Sequence, residues 1–284
     1  MGPVLCLLPV ALVLASRTAA AYAPSPTPLP GYALNEALSD EFSASSLDQS
    51  KWGPSPGWPG RAPGLFDPSN VIVGGGHLQL WARAAKRNAS WPAGFDNFTT
   101  AAIHSRSTQR LGFFEIRWRS GSSGISSSWW FHDNNGSAWS EIDVFETTGA
   151  TNPQRGGANA STLPSHVHVF ALPDTPAPAL PARCGCEEHP AGSAPCSIGA
   201  QWSLPGGAKF SDGFHVAQLN WTDSGVRVFL DGALVNTISS PCLLQPLGMD
   251  FDRETMPGWM ELPPPESLPD QPFLVDYVRA WARL

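Results

Sequence analysis

Three carboxylates lie close together in the stretch E-I-D-V-F-E, at Glu141, Asp143 and Glu146. Successive side chains of a β-strand point to opposite faces, so strict alternation would place Phe145, and not Glu146, beside the first two acids. One extra residue, absorbed as a β-bulge around Val144 and Phe145, would return Glu146 to the acidic face. The spacing therefore predicts three acids on one surface of a bulged strand.

Two glutamates on one surface suggest cleavage of glycosidic bonds. With the bulge removed, Glu141 and Glu146 lie about four strand steps apart, roughly 13 Å at ~3.3 Å per step. Side chains leaning inward across a concave sheet can close this gap to the roughly 5–5.5 Å of a retaining glycosidase. Acids on the wet face of an ordinary sheet are the alternative. The aromatic residues at 129–131 favour catalysis, because clustered like charges beside exposed rings cost stability unless function retains them.

Short apolar runs separated by turn residues recur along the chain and predict a two-sheet all-β sandwich. The composition agrees, with 27 glycines, 29 prolines and only 14% charged residues. The predicted strands are residues 70–73, 77–82, 100–105, 112–119, 127–131, 140–146, 165–170, 215–220, 226–230 and 273–280. A Pro- and Gly-rich insertion without a strand pattern is predicted at about residues 172–210, where it is expected to shape a site.

The N-terminal residues 1–23 are typical of a secretory signal peptide, because a short apolar run precedes small residues. Residues 24–31 are predicted to be a Pro-rich linker, and residues 32–284 a single domain. The formal net charge of -7 argues against nucleic-acid or anionic-membrane partners. We expect a secreted, extracellular monomer with a polysaccharide partner and no membrane contact after signal cleavage.

Secretion would allow the four cysteines of the mature chain to form two disulfides. Cys184 and Cys186 are separated by one residue, so a bridge between them would be strained and each is expected to pair elsewhere. The other two cysteines are Cys196 and Cys242, and the connectivity stays open. A zinc site near His189 is the alternative, although the C-x-C spacing lacks a second close pair.

N-x-[ST] sequons mark candidate glycan sites on exposed loops. A glycan at Asn135 would crowd the acidic motif, so this sequon is the least favoured. The sequons are Asn88, Asn97, Asn135, Asn159 and Asn220.

The motif at residues 141–146 resembles the bulged active-site signature of glycoside hydrolase family 16. Similar segments follow the family's order at residues 39–52, 112–117, 214–234 and 275–281, so the resemblance covers roughly residues 32–284. It implies a β-jelly roll of concanavalin A-like shape. It also implies a secreted retaining endo-β-glycosidase with Glu141 as nucleophile, Asp143 assisting and Glu146 as acid/base, and no cofactor for catalysis.

Several further residues are candidates for holding sugar. The segments 58–63 and 254–268 resemble the agarase and porphyranase branch of the family, in which a Trp and an Arg face the glycone side. Aromatic and histidine side chains in the predicted cleft strands could stack on a pyranose ring or bind a hydroxyl. Core packing is the alternative for each Trp, and a structural hydrogen bond for each His. The candidates are Trp58, Arg61, Trp130, Trp139, His166, His168 and Glu254.

The resemblance favours a β-linked galactan of agar or porphyran type as substrate. A laminarinase-like β-1,3-glucanase and a transglycosylase are the enzymatic alternatives, and a lectin-like protein or a structural wall protein the non-enzymatic ones. Arg61 and Arg155 are the basic candidates for a sulfated chain, which leaves neutral agarose and sulfated porphyran open. Asp276 aligns with a family position that often contributes to a structural calcium site, with an ion pair to Arg279 as the alternative.

Overall fold

The computed structural model describes residues 30–54, 57–134, 138–150, 159–171, 196–240 and 242–284. The predicted signal peptide, most of the linker and most of the insertion lie outside these ranges, as do Asn135, Arg155, Cys184 and Cys186. Within them, no helix is long and apolar enough to cross a membrane.

The described residues form short 3₁₀ helices and many β-strands. The 3₁₀ helices are Glu36–Leu38, Pro68–Asn70, Pro205–Gly207 and Pro265–Ser267. The strands are β1 (Tyr32–Leu34), β2 (Trp52–Gly53), β3 (Gly64–Phe66), β4 (Val71–Gly74), β5 (His77–Leu80), β6 (Arg83–Ala84), β7 (Phe98–Gln109), β8 (Gly112–Arg119), β9 (Ser126–Asn134), β10 (Ala138–Thr148), β11 (Thr162–Ala171), β12 (Cys196–Ser203), β13 (His215–Thr222), β14 (Gly225–Leu230), β15 (Ala233–Ser239), β16 (Leu247–Arg253) and β17 (Phe273–Arg283).

The strands form two sheets. The sheet that carries the acidic motif has the order β12-β11-β10-β9-β16-β7-β2, with β3 and β6 also pairing with β7. We call it the acidic sheet. The opposite sheet has the order β15-β14-β13-β8-β17-β5-β4, with β1 pairing with β17. The predicted two-sheet all-β sandwich is confirmed, and each of the ten predicted strands overlaps an observed one.

The core between the sheets is rich in aromatic side chains. Trp118 of β8 stacks on Phe145 of β10 with ring centroids 3.9 Å apart, and on Phe210 at 5.3 Å. Phe114 and Ile116 of β8 are fully buried in the same core. Burying one such side chain contributes about 1.5–3 kcal/mol. Strand β10 is therefore held firmly against the opposite sheet through Phe145.

Strand β12 corrects the prediction that the insertion at about residues 172–210 has no strand. It pairs antiparallel with β11, from Thr162 opposite Ser203 to Val169 opposite Cys196. Alternate residues of β12, at positions 198, 200 and 202, pack against the core. The apolar residues at 198, 200 and 202 do alternate as in a strand, but the prolines and glycines around them indicated a loop.

Strand β16 was not predicted, although it lies in the middle of the acidic sheet between β9 and β7. Leu247, Met249 and Phe251 are buried in the core between the sheets, whereas Asp250 and Asp252 alternate with them. Acidic residues are rare in a strand that is buried on both faces. This is why the segment was not predicted to be a strand, and why two acids of the site were missed.

The sequons fall in different environments. Asn88 and Asn97 are exposed in loops, whereas Asn220 lies within β13 and is half-buried. The prediction of an exposed loop is therefore wrong for Asn220. Cys242 is buried and disulfide-bonded. The side chains of Cys184, Cys186 and Cys196 lie outside the described residues, so the number and pairing of the disulfides stay a prediction.

Candidate active site

Strand β10 contains a bulge at Val144. Against β9, Asp143 pairs with Trp130 and Phe145 pairs with Trp129, so the register skips Val144. The predicted bulge is confirmed. Its effect is that the third acid of the motif lines the same cleft as the first two.

A side chain of the neighbouring strand provides a hydrogen-bond partner for the backbone at the bulge. The Val144 carbonyl accepts a hydrogen bond of 2.7 Å from the Ser165 hydroxyl on β11. The Ser165 oxygen in turn accepts a hydrogen bond of 2.8 Å from the Asn236 amide on β15 of the opposite sheet. Because a buried carbonyl without a partner costs free energy, these contacts stabilise the bulged conformation.

The three acids line a cleft of about 440 Å³. Its lining residues are Gly57, Trp58, Arg61, Trp130, His132, Trp139, Glu141, Asp143, Glu146, Asp252, Glu254 and Met256. An adjoining cleft of about 370 Å³ is lined by Arg61, Glu141, Glu146, His166, His168 and Trp259. All seven predicted sugar-binding residues therefore line these clefts, and sequence reasoning missed His132, Asp252, Met256 and Trp259 as members.

Glu141 is held by an indole on its own strand. The Nε1 atom of Trp139 donates a hydrogen bond of 2.5 Å to Oε2 of Glu141. Across the sheet, Glu141 is paired with His132 on β9 and with His168 on β11. The carboxylate is therefore directed into the cleft between two histidine-bearing strands.

Asp143 is a buried acid next to Glu141. Burial raises the pKa of Asp143 well above its usual range, and the charge of Glu141 and a hydrogen bond with that residue raise it further. Oδ2 of Asp143 lies 3.1 Å from Nε2 of His168. Burial and the neighbouring Glu141 therefore both favour the protonated form of Asp143.

Glu146 is also a buried acid, and its surroundings favour its protonated form. Burial raises the pKa of Glu146 well above its usual range, the charges of Asp143 and Glu141 raise it further, and the guanidinium of Arg61 opposes the shift. A carboxyl group that keeps its proton can act as a general acid.

Two further acids approach the motif from β16 and its C-terminal end. Burial raises the pKa of Asp252 to about 7, against a hydrogen bond from Trp130 that lowers it. Burial and the charge of Asp252 raise the pKa of Glu254 to about 9. Oε2 of Glu254 lies 3.4 Å from the Arg61 guanidinium, so this contact joins a cation and a neutral acid at pH 7.

The loop that carries Trp58 and Arg61 is fixed to the end of β16. The Thr255 hydroxyl accepts a hydrogen bond of 3.0 Å from the Gly64 amide and donates one to the Arg61 carbonyl. The Trp58 ring meets Phe66 edge-on, with centroids 5.1 Å apart. These contacts place an aromatic face and a cation above the acids, where a sugar ring could stack and form hydrogen bonds.

The family assignment comes from comparison with known proteins. Residues 32–283 match the family described as beta-porphyranase A-D, GH16 domain. The chain belongs to this family. GH16 is a family of glycoside hydrolases, and a retaining mechanism is characteristic of it.

Curated relatives of this GH16 chain include two porphyranases of Zobellia galactanivorans. Beta-porphyranase D is 28% identical over 277 residues, which cover 88% of this chain and 60% of the relative. Beta-porphyranase E is 26% identical over 269 residues, which cover 88% of each chain. The chain thus spans about 60% of the length of beta-porphyranase D.

Solved structures share the fold of the GH16 chain. Porphyranase B from Zobellia galactanivorans superposes with a TM-score of 0.75 at 23% identity, covering 88% of this chain and 92% of that one. Beta-agarase A from the same organism gives 0.70 at 18% identity, covering 93% and 98%. These similarities confirm the predicted β-jelly roll.

One wall of the GH16 cleft is a stack of three rings. His132 lies between Trp130 and Trp139, with ring centroids 4.7 and 4.9 Å apart and interplanar angles of 20° and 22°. Beneath the stack, the buried Asp250 carboxylate contacts Nδ1 of His132 at 2.8 Å and Nδ1 of His104 at 2.9 Å. His104, His132 and Asp250 were not predicted. The alternation of side chains along β7, β9 and β16 puts these three residues on one face. This can be recognised only when β16 is known to be a strand between β7 and β9.

His166 and His168 share a face of β11, as predicted. Their rings stack with centroids 5.7 Å apart. Burial lowers the pKa of His166, and the neighbouring His168 lowers it further. A neutral imidazole can both donate and accept a hydrogen bond, which suits recognition of a sugar hydroxyl. Their role in binding substrate stays a prediction.

Two groups within the described residues bring three potential metal ligands within 4.8 Å of one another. The groups are His104, His132 and Asp250, and Asp143, His166 and His168. In the first group, both oxygens of Asp250 already contact imidazole nitrogens. In the second, Asp143 and His168 already contact each other. Hydrolysis by two carboxyl groups requires no metal at either place.

The surroundings of Asp276 do not fit the predicted calcium site. Oδ2 of Asp276 accepts a hydrogen bond of 2.5 Å from Arg117, and Oδ1 lies 3.7 Å from Nε2 of His77. Calcium prefers six to eight oxygen ligands, and a guanidinium competes with it for this carboxylate. The alternative partner Arg279 pairs instead with Glu41 at 2.7 Å.

Proposed function

We propose that this GH16 chain is a secreted retaining endo-β-glycosidase that hydrolyses a β-linked galactan of agar or porphyran type. The observation that carries the proposal is the bulge at Val144, because it brings Glu141, Asp143 and Glu146 into one cleft. The elevated pKa of Glu146 supports the reaction type, because one of the two glutamates must begin the cycle protonated.

In the first step, the Glu141 carboxylate attacks the anomeric carbon and forms a glycosyl-enzyme ester. The bond from that carbon to the leaving oxygen breaks, and Glu146 transfers its proton to this oxygen. In the second step, water attacks the anomeric carbon and releases Glu141, while Glu146 accepts the proton of the water. The configuration at the anomeric carbon is retained because it is inverted twice.

Asp143 assists the nucleophile in this proposal. The hydrogen bond between Asp143 and Glu141, which raises the pKa of Asp143, fixes the orientation of the Glu141 carboxylate. His168, 3.1 Å from Oδ2 of Asp143, limits the rotation of this acid. The same glycosyl-enzyme could react with a sugar hydroxyl instead of water, which would give transglycosylation.

The galactan substrate is proposed from the relatives, because the chain belongs to a family described by its porphyranases. The aromatic walls at Trp58, Trp130 and Trp139 support a pyranose polymer in the cleft. Arg61 is the described guanidinium that lines it, while Arg155 lies outside the described residues. Secretion, a monomeric state and the absence of a catalytic cofactor remain parts of the proposal.

The test is incubation of the purified protein with agarose, porphyran, carrageenan, laminarin and lichenan, followed by mass spectrometry of the products. Oligosaccharides from agarose or porphyran, and none in a Glu141→Gln control, would support the proposal. Products from laminarin alone would contradict the galactan assignment and leave the mechanism in place. No product from any polysaccharide, together with saturable binding to one of them, would support a lectin-like protein.

A further inference from the structure

His132 lies next to Glu141 across the sheet. The two residues are direct cross-strand partners on β9 and β10, and both line the cleft. Side chains at directly opposed positions of antiparallel strands have Cβ atoms about 4.5–5.5 Å apart. Any charge on the imidazole is therefore close to the carboxylate of Glu141.

The orientation of His132 is fixed on three sides. Trp130 and Trp139 cover the two faces of its ring at 4.7 and 4.9 Å between centroids. Nδ1 of His132 meets Oδ2 of Asp250 at 2.8 Å. Trp139, which forms one of these faces, is also the donor to Oε2 of Glu141. The position of the imidazole thus determines where this donor can lie.

Asp250 is held in turn by a second histidine. Its Oδ1 atom meets Nδ1 of His104 on β7 at 2.9 Å, and the side chain is only 2% exposed. The contacts therefore run across four adjacent strands, β7, β16, β9 and β10, and end at Glu141. Hydrogen bonds to both of its oxygens leave a buried carboxylate little freedom to rotate.

His132 is surrounded by negative groups. Burial by itself lowers the pKa of the imidazole, but the hydrogen bond and charge of Asp250, and the charges of Glu141 and Asp133, outweigh burial and raise it above its usual value. The facing groups are Asp250 from β16, His104 from β7, Glu141 from β10 and Asp133 on the same strand. The positive form therefore persists to higher pH than in an ordinary histidine.

We propose that His132 is a positioning residue for Glu141, because it holds the Trp139 donor in place and sets a positive charge beside the nucleophilic carboxylate. The inference rests on the proposed function. A cation beside Glu141 interacts favourably with its carboxylate, which is the form that attacks the anomeric carbon, whereas Asp143, Glu146, Asp252 and Glu254 have raised pKa values. Asp250 and His104 affect Glu141 indirectly, because they hold His132 in place.

The first test is the pH profile of kcat/KM for His132→Gln, which keeps a donor for Asp250 but carries no charge. We expect the acid limb, which reports ionisation of the nucleophile, to move to higher pH by about one unit. kcat/KM on the acid side should fall roughly ten-fold, while the basic limb stays in place. His104→Gln should move the acid limb in the same direction and less far.

His215→Gln is the matched control, because Nδ1 of His215 also meets an aspartate, Asp231, at 2.8 Å, but on the opposite sheet. Its pH profile should equal that of the wild type. An acid limb that stays at its wild-type position in an active His132→Gln enzyme would overturn the inference. If the wild type cleaves no polysaccharide, the proposed function has failed, and a second measurement still decides the inference.

That measurement is the NMR titration of the His132 imidazole in the wild type and in Glu141→Gln, which requires no turnover and no change at His132. Because Glu141 raises the pKa of His132, neutral glutamine should lower it. Circular dichroism melting of both proteins confirms that each is folded. An unchanged His132 pKa in Glu141→Gln would show that the two groups are not coupled and would overturn the inference.

Discussion

The Nε1 atom of Trp130 donates a hydrogen bond of 2.7 Å to Oδ2 of Asp252, which joins β9 to β16 beside the acidic motif. Burial outweighs this bond and raises the pKa of Asp252 to about 7, so this acid changes its charge near neutral pH. The charge of Asp252 contributes to the raised pKa of Glu146. The pKa of Glu146, the proposed general acid, therefore depends on a residue of a different strand.

Asp252→Asn should move the basic limb of the pH profile of kcat/KM to lower pH. Removing a negative charge near Glu146 lowers the pKa of Glu146, so the general acid loses its proton at lower pH. Asparagine still offers an oxygen to Trp130. The measurement is kcat/KM across the pH range, with Asp231→Asn on the opposite sheet as control. A basic limb at the wild-type position in Asp252→Asn would contradict this coupling.

Glu141→Ala and Glu146→Ala should each lower kcat by orders of magnitude without unfolding the protein, because each removes a reacting group. Added azide should react differently in the two variants. With an activated substrate, Glu141→Ala should yield the α-glycosyl azide and Glu146→Ala the β-glycosyl azide, which NMR of the products distinguishes. Full activity in either variant would remove the assigned role.

Glu254 should make the protein less stable as pH rises. The pKa of Glu254 is about 9 in the folded protein, whereas its ordinary value is 4.5. Between these two pH values the folded chain therefore holds a proton that the unfolded chain has lost. The free energy of unfolding then decreases with rising pH by up to about 1.4 kcal/mol per pH unit for each such acid.

Urea denaturation of the wild type and Glu254→Gln at several pH values between 5 and 8 measures this effect. The variant should show a shallower decrease, because glutamine does not titrate. Glu266→Gln, at an exposed position, is the control and should keep the wild-type slope. Equal slopes in the wild type and Glu254→Gln would show that Glu254 is ionised in the folded protein.

Gly199→Ala should weaken substrate binding. A Cβ atom at Gly199 of β12 would lie 2.3 Å from Cδ2 of His166, so the imidazole must shift from its position in the cleft. We expect KM to rise several-fold with less than a two-fold change in kcat. Gly213→Ala is the matched control, because nothing lies within 4 Å of its added Cβ. An unchanged KM in Gly199→Ala would remove His166 from the substrate-binding residues.

The mature protein should contain two disulfides among Cys184, Cys186, Cys196 and Cys242. Alkylation without reduction, read by mass spectrometry, should label none of the four. Cys242→Ser should lower the free energy of unfolding by about 2–4 kcal/mol, because Cys242 is buried and disulfide-bonded. Labelling of all four cysteines would contradict the disulfides and support the zinc alternative.

The bulge could be predicted from six residues, because the alternation of side chains along a strand is a local property of the backbone. Glu141, Asp143 and Glu146 can share a face only if one residue between the last two is skipped, and the structure skips Val144. The recurring apolar runs predicted the two-sheet sandwich, and the family resemblance supplied the jelly roll and, through residues 58–61, Trp58 and Arg61. These inferences required no knowledge of how distant strands pair.

The placement of β16 required the tertiary structure. Asp250 meets His104 and His132 across 146 and 118 residues of chain, and no local pattern records such a pairing. The raised pKa values of Glu146 and Glu254 have the same origin, because burial and neighbouring charges from other strands cause them. The amino-acid sequence by itself determined which three acids share a face of β10, because this follows from backbone geometry within one strand. The roles assigned to these acids come from the family resemblance and stay a prediction. The raised pKa values of Asp143 and Glu146 were decided only when the sheets packed, because the free energy of a charge depends on burial and on every neighbouring charge.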